Sequence, residues 1–469
     1  MNLERFIEAL GPAELVHGGP VDVLDLAYDT RSVTPGALFF CVRGATANGH
    51  AFAPSAAAAG AGALVVDHPL EVELPQLVVP DVRAAMPAAA SVFFGDPTSE
   101  LEVAAVTGTN GKTTTAFLLH AILDAAGRHP GLLTNIERRA GGASLPTGLN
   151  TPEAIDLQRL FRRMLDAGDR SCVMEATSIA QAQGRLGGTR FAVLVFTNLT
   201  QDHLDFHGTM DEYFESKRRL FGQAEQAVVN VGDDYGRRLA RELRNAVVFD
   251  ADSSAIDGID FKLRGRFNRE NAIGAALAAR ALSVDDDAIR RGLESVAEVP
   301  GRFEAIDEGQ DFTVIVDYAH TPASLENVLR TARGLGDGRL IAVFGAGGDR
   351  DRAKRPLMGR VVSELADTAI LTSDNPRSEE PAAIAADVAA GALGAVEREL
   401  DRRAAIERAI REARAGDVVV IAGRGAEPMQ ELAGGKVPFD DREVTREVLL
   451  AYGFQDAQQA AKRAVEKEP

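Results

Sequence analysis

Short apolar runs separated by longer amphipathic stretches recur along the whole chain, and this alternation sets the expected fold class. Over residues 1–98 the runs Leu38–Val42, Ala63–Val66 and Gln76–Val79 have strand length, and alanine-rich stretches between them favour helices. Leu101–Val106, Ala192–Phe196 and Ala227–Val231 continue the pattern, followed by Thr313–Val316, Leu340–Phe344, Ala369–Thr372 and Val418–Ile421. These runs are continuously apolar, as strands buried on both faces of a parallel sheet must be. Turn-forming residues break the sequence at Gly95-Asp96-Pro97-Thr98-Ser99 and again at Pro300-Gly301. The pattern predicts three α/β domains in series: a small N-terminal one over 1–98, a central parallel-sheet one over 99–299, and a doubly wound, Rossmann-like one over 300–469. The last fifteen or so residues are polar and helix-prone and are expected to form a surface tail. No internal repeat interrupts the series.

One junction carries chemistry. Thr107-Gly108-Thr109-Asn110-Gly111-Lys112-Thr113-Thr114 joins the run ending at Val106 to a segment with Leu118, Leu119, Ile122, Leu123 and Ala126 at helical spacing. A glycine-rich turn there aims backbone N–H groups and the positive end of a helix at one point, where phosphate binds. Lys112 can reach the β- and γ-phosphates, and the Thr113 hydroxyl can ligate Mg²⁺. The usual loop has a glycine at the position of Val106, so this is a shortened variant. The central domain is therefore expected to bind a nucleoside triphosphate, with ATP held by Gly108 through Thr114.

Composition narrows the partners. Against 51 Lys and Arg stand 69 Asp and Glu, a net charge of −18 that argues against nucleic acid, which needs a basic face. Anionic ligands must then be held by local clusters rather than the overall field. Cys41 and Cys172 lie in apolar runs without metal-ligand spacing and read as buried thiols. The Met1-Asn2-Leu3-Glu4-Arg5 start shows no secretion signal, and no run reaches membrane-spanning length, so a soluble, cytoplasmic protein without membrane insertion is expected.

Further candidates cluster in the central domain. Thr197-Asn198-Leu199-Thr200-Gln201-Asp202-His203-Leu204-Asp205-Phe206-His207-Gly208 follows a strand, at the edge where open α/β sheets take ligands. His203 and His207, four apart, could share a helical face as metal ligands or simply cap a turn. Glu175 ends the run Val173-Met174-Glu175 and offers a hard oxygen for Mg²⁺. Lys217, in Asp211-Glu212-Tyr213-Phe214-Glu215-Ser216-Lys217, reads from its surroundings as a solvated lysine on an amphipathic helix.

Taken together, the phosphate loop, the Thr197–Gly208 block and Lys217 resemble the central domain of the Mur ligases, ATP-dependent amide-forming enzymes of peptidoglycan synthesis. The resemblance continues through Gly265-Arg266-Phe267-Asn268-Arg269-Glu270-Asn271-Ala272, Pro300-Gly301-Arg302-Phe303-Glu304, Asp317-Tyr318-Ala319-His320-Thr321-Pro322, Gly347-Gly348-Asp349-Arg350-Asp351 and Pro438-Phe439-Asp440-Asp441-Arg442-Glu443. It implies a carbamylated Lys217, since the CO₂ adduct turns a cation into a carboxylate-like ligand. Glu175, His203 and that carbamate would hold one Mg²⁺, and Thr113 would serve another. Asn271, Arg302 and Asp317 match positions that hold adenine and ribose. The implied reaction forms an acyl phosphate from a substrate carboxylate and ATP, and an amine then displaces phosphate. Lys112, His203 and Lys217 would stand closest to the chemistry, neutralising charge on the phosphoryl group.

The amino acid is read from Asp374-Asn375-Pro376-Arg377, which resembles the meso-diaminopimelate motif of UDP-N-acetylmuramoyl-tripeptide synthetases. On its own the stretch would also serve as a polar loop leading to a helix that starts at Pro381. Arg377 can fork onto the distal carboxylate of diaminopimelate, whereas L-lysine would present it with a like charge. Family correspondence adds Arg350, Gly423 and Glu427. Tyr28-Asp29-Thr30-Arg31 and Arg43-Gly44-Ala45-Thr46 resemble loops that hold UDP, with Thr30 and Thr46 as donors. Asn150, Thr151, Thr177, Gln183 and Arg185 map to contacts with the UDP-N-acetylmuramoyl dipeptide. The chain departs from the family at Ile179 and Ala426, where histidine is usual, and at Asn150-Thr151, where a threonine pair is. An L-lysine-adding synthetase, a non-catalytic nucleotide-binding homologue and a pterin polyglutamylating enzyme are the other readings.

Overall fold

In the computed structural model, residues 1–19, 21–44 and 47–453 are described here. The expected terminal tail and Thr46 lie outside them. Three sheets follow one another along the chain. The first has five strands in the order Glu14–Val16, Gln76–Val78, Ala63–Val66, Ala37–Phe40, Asp25–Ala27, parallel except at the Glu14–Val16 edge. Glu14–Val16 and Asp25–Ala27 were not legible as strands, because three residues carry too little apolar pattern to register.

The central sheet has eight strands, ordered Val247–Phe249, Ala224–Asn230, Phe191–Phe196, Glu102–Thr107, Ser171–Glu175, Pro130–Leu133, Arg138–Ala140, Ala143–Leu145. The first six run parallel, and the last two form an antiparallel extension. Glu102–Thr107 is fully enclosed: Ala104 and Val106 enter one core, Val103 and Ala105 the other. The helix Lys112–Ala125 covers the first core with Leu118, Leu119, Ile122 and Leu123, each wholly buried and worth about 2 kcal/mol of transfer free energy. That burial fixes the helix whose N-terminus carries Lys112. Because Ser171–Glu175 and Phe191–Phe196 flank Glu102–Thr107, the chain reverses direction across the sheet there, opening a crevice at the carboxyl ends.

The third sheet is ordered Glu304–Ala305, Thr313–Asp317, Val418–Ala422, Leu340–Phe344, Thr368–Leu371, Glu397–Arg398, again parallel except at its first edge. A separate hairpin, Met429–Leu432 with Gly435–Pro438, follows it. The link between the second and third sheets is short and pinned. Gly301 has φ +62°, its N–H donates to Glu304 Oε2 (2.7 Å), and its carbonyl accepts from Tyr318 N (3.0 Å). A Cβ on Gly301 would lie 2.1 Å from the Ala426 nitrogen, so only glycine fits. Cys41 and Cys172 are buried free thiols, the former pushed up to about 12 by burial. Among the described residues no helix is long and apolar enough to cross a membrane.

Candidate functional site

The crevice at the carboxyl end of Glu102–Thr107 is a cleft of about 330 Å³ lined from both the second and third sheets. The loop at its floor is held by the next strand: Thr197 Oγ1 donates to Asn110 O (2.6 Å), and Asn198 Oδ1 accepts from Asn110 N (2.9 Å). Gly108 and Gly111 have φ +150° and +87°. A Cβ on Gly108 would fall 1.9 Å from Thr197 Oγ1, and one on Gly111 2.3 Å from Asn271 Oδ1. The Lys112 ammonium donates to the carbonyls of Gly108 (3.0 Å) and Thr109 (2.8 Å) and thus curls over the loop where a phosphate would sit. Burial pushes the Lys112 pKa down, opposed by Glu175 and Asp202.

Hard oxygens gather beside it. Thr113 Oγ1 donates to Glu175 Oε1 (2.7 Å), and Asn135 N lies 3.4 Å from the same carboxylate oxygen. Glu175 is 1% exposed. From across the cleft Arg302 Nη2 donates to Thr113 Oγ1 (2.9 Å), while Arg302 Nη1 is buried without a hydrogen-bond partner among the described residues. Asn271, Asp317 and Asn150 also line the cleft. Asp317 accepts from Phe303 N and Ala319 N (both 2.7 Å), fixing the segment that presents Arg302. Burial raises the Asp317 pKa.

Lys217 is not solvated. The helix Met210–Arg218 packs its Tyr213, Phe214 and Lys217 face inward, and Lys217 Nζ donates to Gly108 O (2.8 Å) beneath the loop. Burial, then the charge of Lys112, pushes its ammonium well below the ordinary lysine range. The sequence misled here because the residues flanking Lys217 are charged and the pattern alone leaves the buried face ambiguous.

The spacing of His203 and His207 does not bring them onto a shared ligand face. The helix between them is only Leu204–His207, and His203 sits at its N-cap with φ +56°. His203 lines the cleft, whereas His207 Nε2 contacts Ser178 Oγ (2.9 Å) outside it. Burial lowers the imidazole of His203 to about 3, leaving it neutral and able to act as a ligand at physiological pH.

Several residues the motifs did not single out by role join the two sheets here. Asp202 pairs with Lys354 Nζ (2.9 Å) and lies 3.5 Å from His320 Nε2. Burial would raise the Asp202 carboxyl, but Lys354 and His320 outweigh it and hold it well below the usual range. Asp202 and His320 lay inside quoted blocks, and Lys354 and Asn135 had no sequence signal beyond position after a strand.

A second cluster lies against the first domain. Thr151 Oγ1 donates to Glu175 O (2.8 Å) and touches Thr177 Oγ1 (3.1 Å). Arg185 donates to Thr151 O (3.2 Å) and to Gln183 Oε1, and pairs with Glu153 (3.0 Å), which also reaches Arg83 of the first domain (3.3 Å). Thr30 sits apart, in the short turn Thr30–Ser32 capped by Asp29.

The third cluster occupies the carboxyl end of the last sheet. Asn375 Nδ2 donates to Glu427 Oε2 (2.9 Å), and Asn375 Oδ1 accepts from the wholly buried Arg424. Asp374 Oδ2 is buried without a hydrogen-bond partner among the described residues, and a Cβ on Gly423 would lie 2.5 Å from it. Burial, then Asp374, pushes the Glu427 carboxyl up. Arg377, at φ +53°, donates from Nη1 to Gly348 O (2.7 Å). Pro376 leads into Arg377, and Arg350 bonds the Asp349 carbonyl (2.9 Å) on the neighbouring loop and is solvent-exposed. Asp374 and Glu427 thus bring carboxylates, and Arg377, ion-paired with Glu431 (2.7 Å), a guanidinium, to adjoining loops at this end of the sheet.

Comparison with known proteins agrees with this arrangement. Residues 25–108 match the Mur ligase family catalytic domain, 106–257 the Mur ligase middle domain, and 301–425 the Mur ligase glutamate ligase domain. The UDP-N-acetylmuramoyl-L-alanyl-D-glutamate--2,6-diaminopimelate ligase of Geobacillus kaustophilus is 43% identical over 475 residues, spanning 93% of this chain and 97% of its own. A solved structure of a ligase with that same name superposes with a TM-score of 0.62 at 32% identity, covering 92% of this chain and 95% of the other. The MurF ligase of Thermotoga maritima in complex with ADP shares the fold at 19% identity, with a TM-score of 0.65 over 94% and 99% of the two chains. The chain belongs to the Mur ligase family.

Proposed function

We propose that this protein joins meso-diaminopimelate to UDP-N-acetylmuramoyl-L-alanyl-D-glutamate at the expense of ATP, through an acyl phosphate. The observation that carries the amino-acid assignment is the juxtaposition of the unpaired Asp374 oxygen and Glu427 with the Arg377 guanidinium. Diaminopimelate ends in an ammonium and a carboxylate, so both charges find a partner. L-lysine would bring no distal carboxylate to Arg377.

The phosphate loop would cradle ATP, with Lys112 turning from the Gly108 and Thr109 carbonyls onto the phosphates. Arg302, whose buried Nη1 has no hydrogen-bond partner among the described residues, would donate to the nucleotide across the cleft, and Asp317 fixes the segment that presents it. Asn271 lies against the loop at Gly111 and would contact the nucleotide from the side. Thr113 would serve one Mg²⁺ ion, and Glu175, 2.7 Å from the Thr113 hydroxyl, would hold a second together with neutral His203 and a carbamylated Lys217. These ions would supply charge neutralisation to the transferring phosphoryl group. A buried lysine whose ammonium is disfavoured by burial and by Lys112 suits carbamylation: the amine nitrogen bonds the CO₂ carbon and its proton leaves to solvent.

The substrate carboxylate then attacks the γ-phosphorus, ADP departs, and the unprotonated amine of the amino acid attacks the acyl carbon and expels phosphate. Arg185, Thr151, Thr177, Gln183 and Asn150 would hold the peptide end of the UDP-sugar, with Thr30 and Thr46 at the nucleotide end. A phosphate-release assay over an amino-acid panel tests the reading. Release should require both the UDP-dipeptide and meso-diaminopimelate, and equal turnover with L-lysine would defeat it.

A further inference from the structure

The loop that reads the amino acid is zipped to the hairpin Met429–Leu432/Gly435–Pro438. Arg377 N donates to Glu431 O (3.0 Å), and Glu431 N donates to Asn375 Oδ1 (2.9 Å). The side chains pair as well: Arg377 Nε donates to Glu431 Oε2 at 2.7 Å. The other oxygen of Glu431 lies 2.6 Å from Lys436 Nζ, on the facing strand of the hairpin.

A guanidinium grips a carboxylate best through two parallel N–H groups, along either its Nε/Nη2 or its Nη1/Nη2 edge. Both edges of Arg377 are partly engaged, one by Glu431 and the other by the Gly348 carbonyl (2.7 Å). The carbonyl is fixed by backbone. The Glu431 side chain is 30% exposed, has rotatable bonds, and already touches a second cation.

We propose that Glu431 is an exchangeable counter-ion for Arg377: the distal carboxylate of the incoming amino acid takes the Nε/Nη2 edge, and Glu431 passes wholly to Lys436. This rests on the diaminopimelate reading above and deepens it. Glu431 becomes a specificity-determining residue that competes with the substrate for one guanidinium. An amino acid without a distal carboxylate cannot drive the exchange and meets Arg377 already neutralised.

Steady-state kinetics on the full chain tests this, with the amino acid varied at saturating ATP and UDP-dipeptide. Glu431→Gln should lower KM for meso-diaminopimelate about fivefold, the worth of a half-exposed ion pair, with kcat and the KM for ATP unchanged. Lys436→Met, which removes the alternative seat, should raise that KM about fivefold in the native background and leave it unmoved in the Glu431→Gln background. A raised or unchanged KM in Glu431→Gln would overturn the exchange and leave Glu431 as a prop for the loop. So would an unchanged KM in Lys436→Met, which alters only an exposed side chain and serves if the first variant folds poorly. Were the amino-acid assignment itself wrong, the native protein would release no phosphate with diaminopimelate, a separate outcome that removes the exchange with it.

Discussion

An ammonium forced out of water loses several kcal/mol of hydration unless a carboxylate compensates it; among the described residues Lys217 bonds the Gly108 carbonyl, and burial with the like charge of Lys112 outweighs the attraction of Asp202. A CO₂ adduct resolves that conflict, which is why Lys217→Ala is expected to cut turnover at least a thousandfold while ADP affinity, read by calorimetry, falls far less. Full activity in that variant would remove the carbamate from the mechanism. Gly111 makes the complementary point about space. A Cβ there would meet Asn271 Oδ1 at 2.3 Å on a backbone with φ +87°, so Gly111→Ala should weaken ADP binding by at least tenfold without unfolding the protein. The residue types of the phosphate loop were legible because each has one physical role there. Lys217 was not read as buried, because the charged residues of its helix masked the face it shares with Tyr213 and Phe214, four and three residues before it.

At the scale of elements, Arg355 is one of the buried arginines that staple the loops at the carboxyl end of the last sheet. Arg355, on the helix Lys354–Leu365, is wholly buried and pairs with Glu379 (2.7 Å) and with Asp387 (2.9 Å) on the helix Pro381–Ala389, and it donates to Gly347 O (3.1 Å). Arg355→Met should cost about 3 kcal/mol in denaturant unfolding, because Glu379 loses its cation and Asp387 keeps only Arg352 (3.0 Å). Its hydrogen bonds hold the Glu379 carboxyl down at about 2, below its value in the unfolded chain. The stabilisation is therefore complete above the ordinary glutamate range and is lost as the pH falls from there toward about 2. Unfolding midpoints measured across that window should fall more steeply for the native protein than for Arg355→Met. Most strands were readable from continuous apolar runs such as Leu340–Phe344, and the helix start at Pro381 from its fixed φ. The hairpin Met429–Pro438 was not, because its residues are mostly exposed and alternate too weakly to mark a face. The spacing of His203 and His207 invited a shared metal face that a four-residue helix cannot build.

Across the whole molecule, which carries a net charge of −18, individual cations reach from one domain to a partner in the next. Arg302 crosses from the last sheet to Thr113, Lys354 crosses to Asp202, and Glu153 ties Arg185 to Arg83 of the first domain. Lys354→Met would strand the buried Asp202 charge at a cost of about 3 kcal/mol. The expected result is a larger radius of gyration in small-angle scattering and a raised KM for ATP, and unchanged values for both would show that the pair does not hold the domains together. None of these crossings was legible in the sequence, since charge pairing across a cleft leaves no periodicity. The short link at Gly301 gives them a shared consequence. Its backbone is wedged against Ala426, one residue from Glu427, while the next residue along is Arg302. Rotation of the link would therefore turn Arg302 and Glu427 as one gear train, so that, on the proposed function, filling either seat would set the angle of the other.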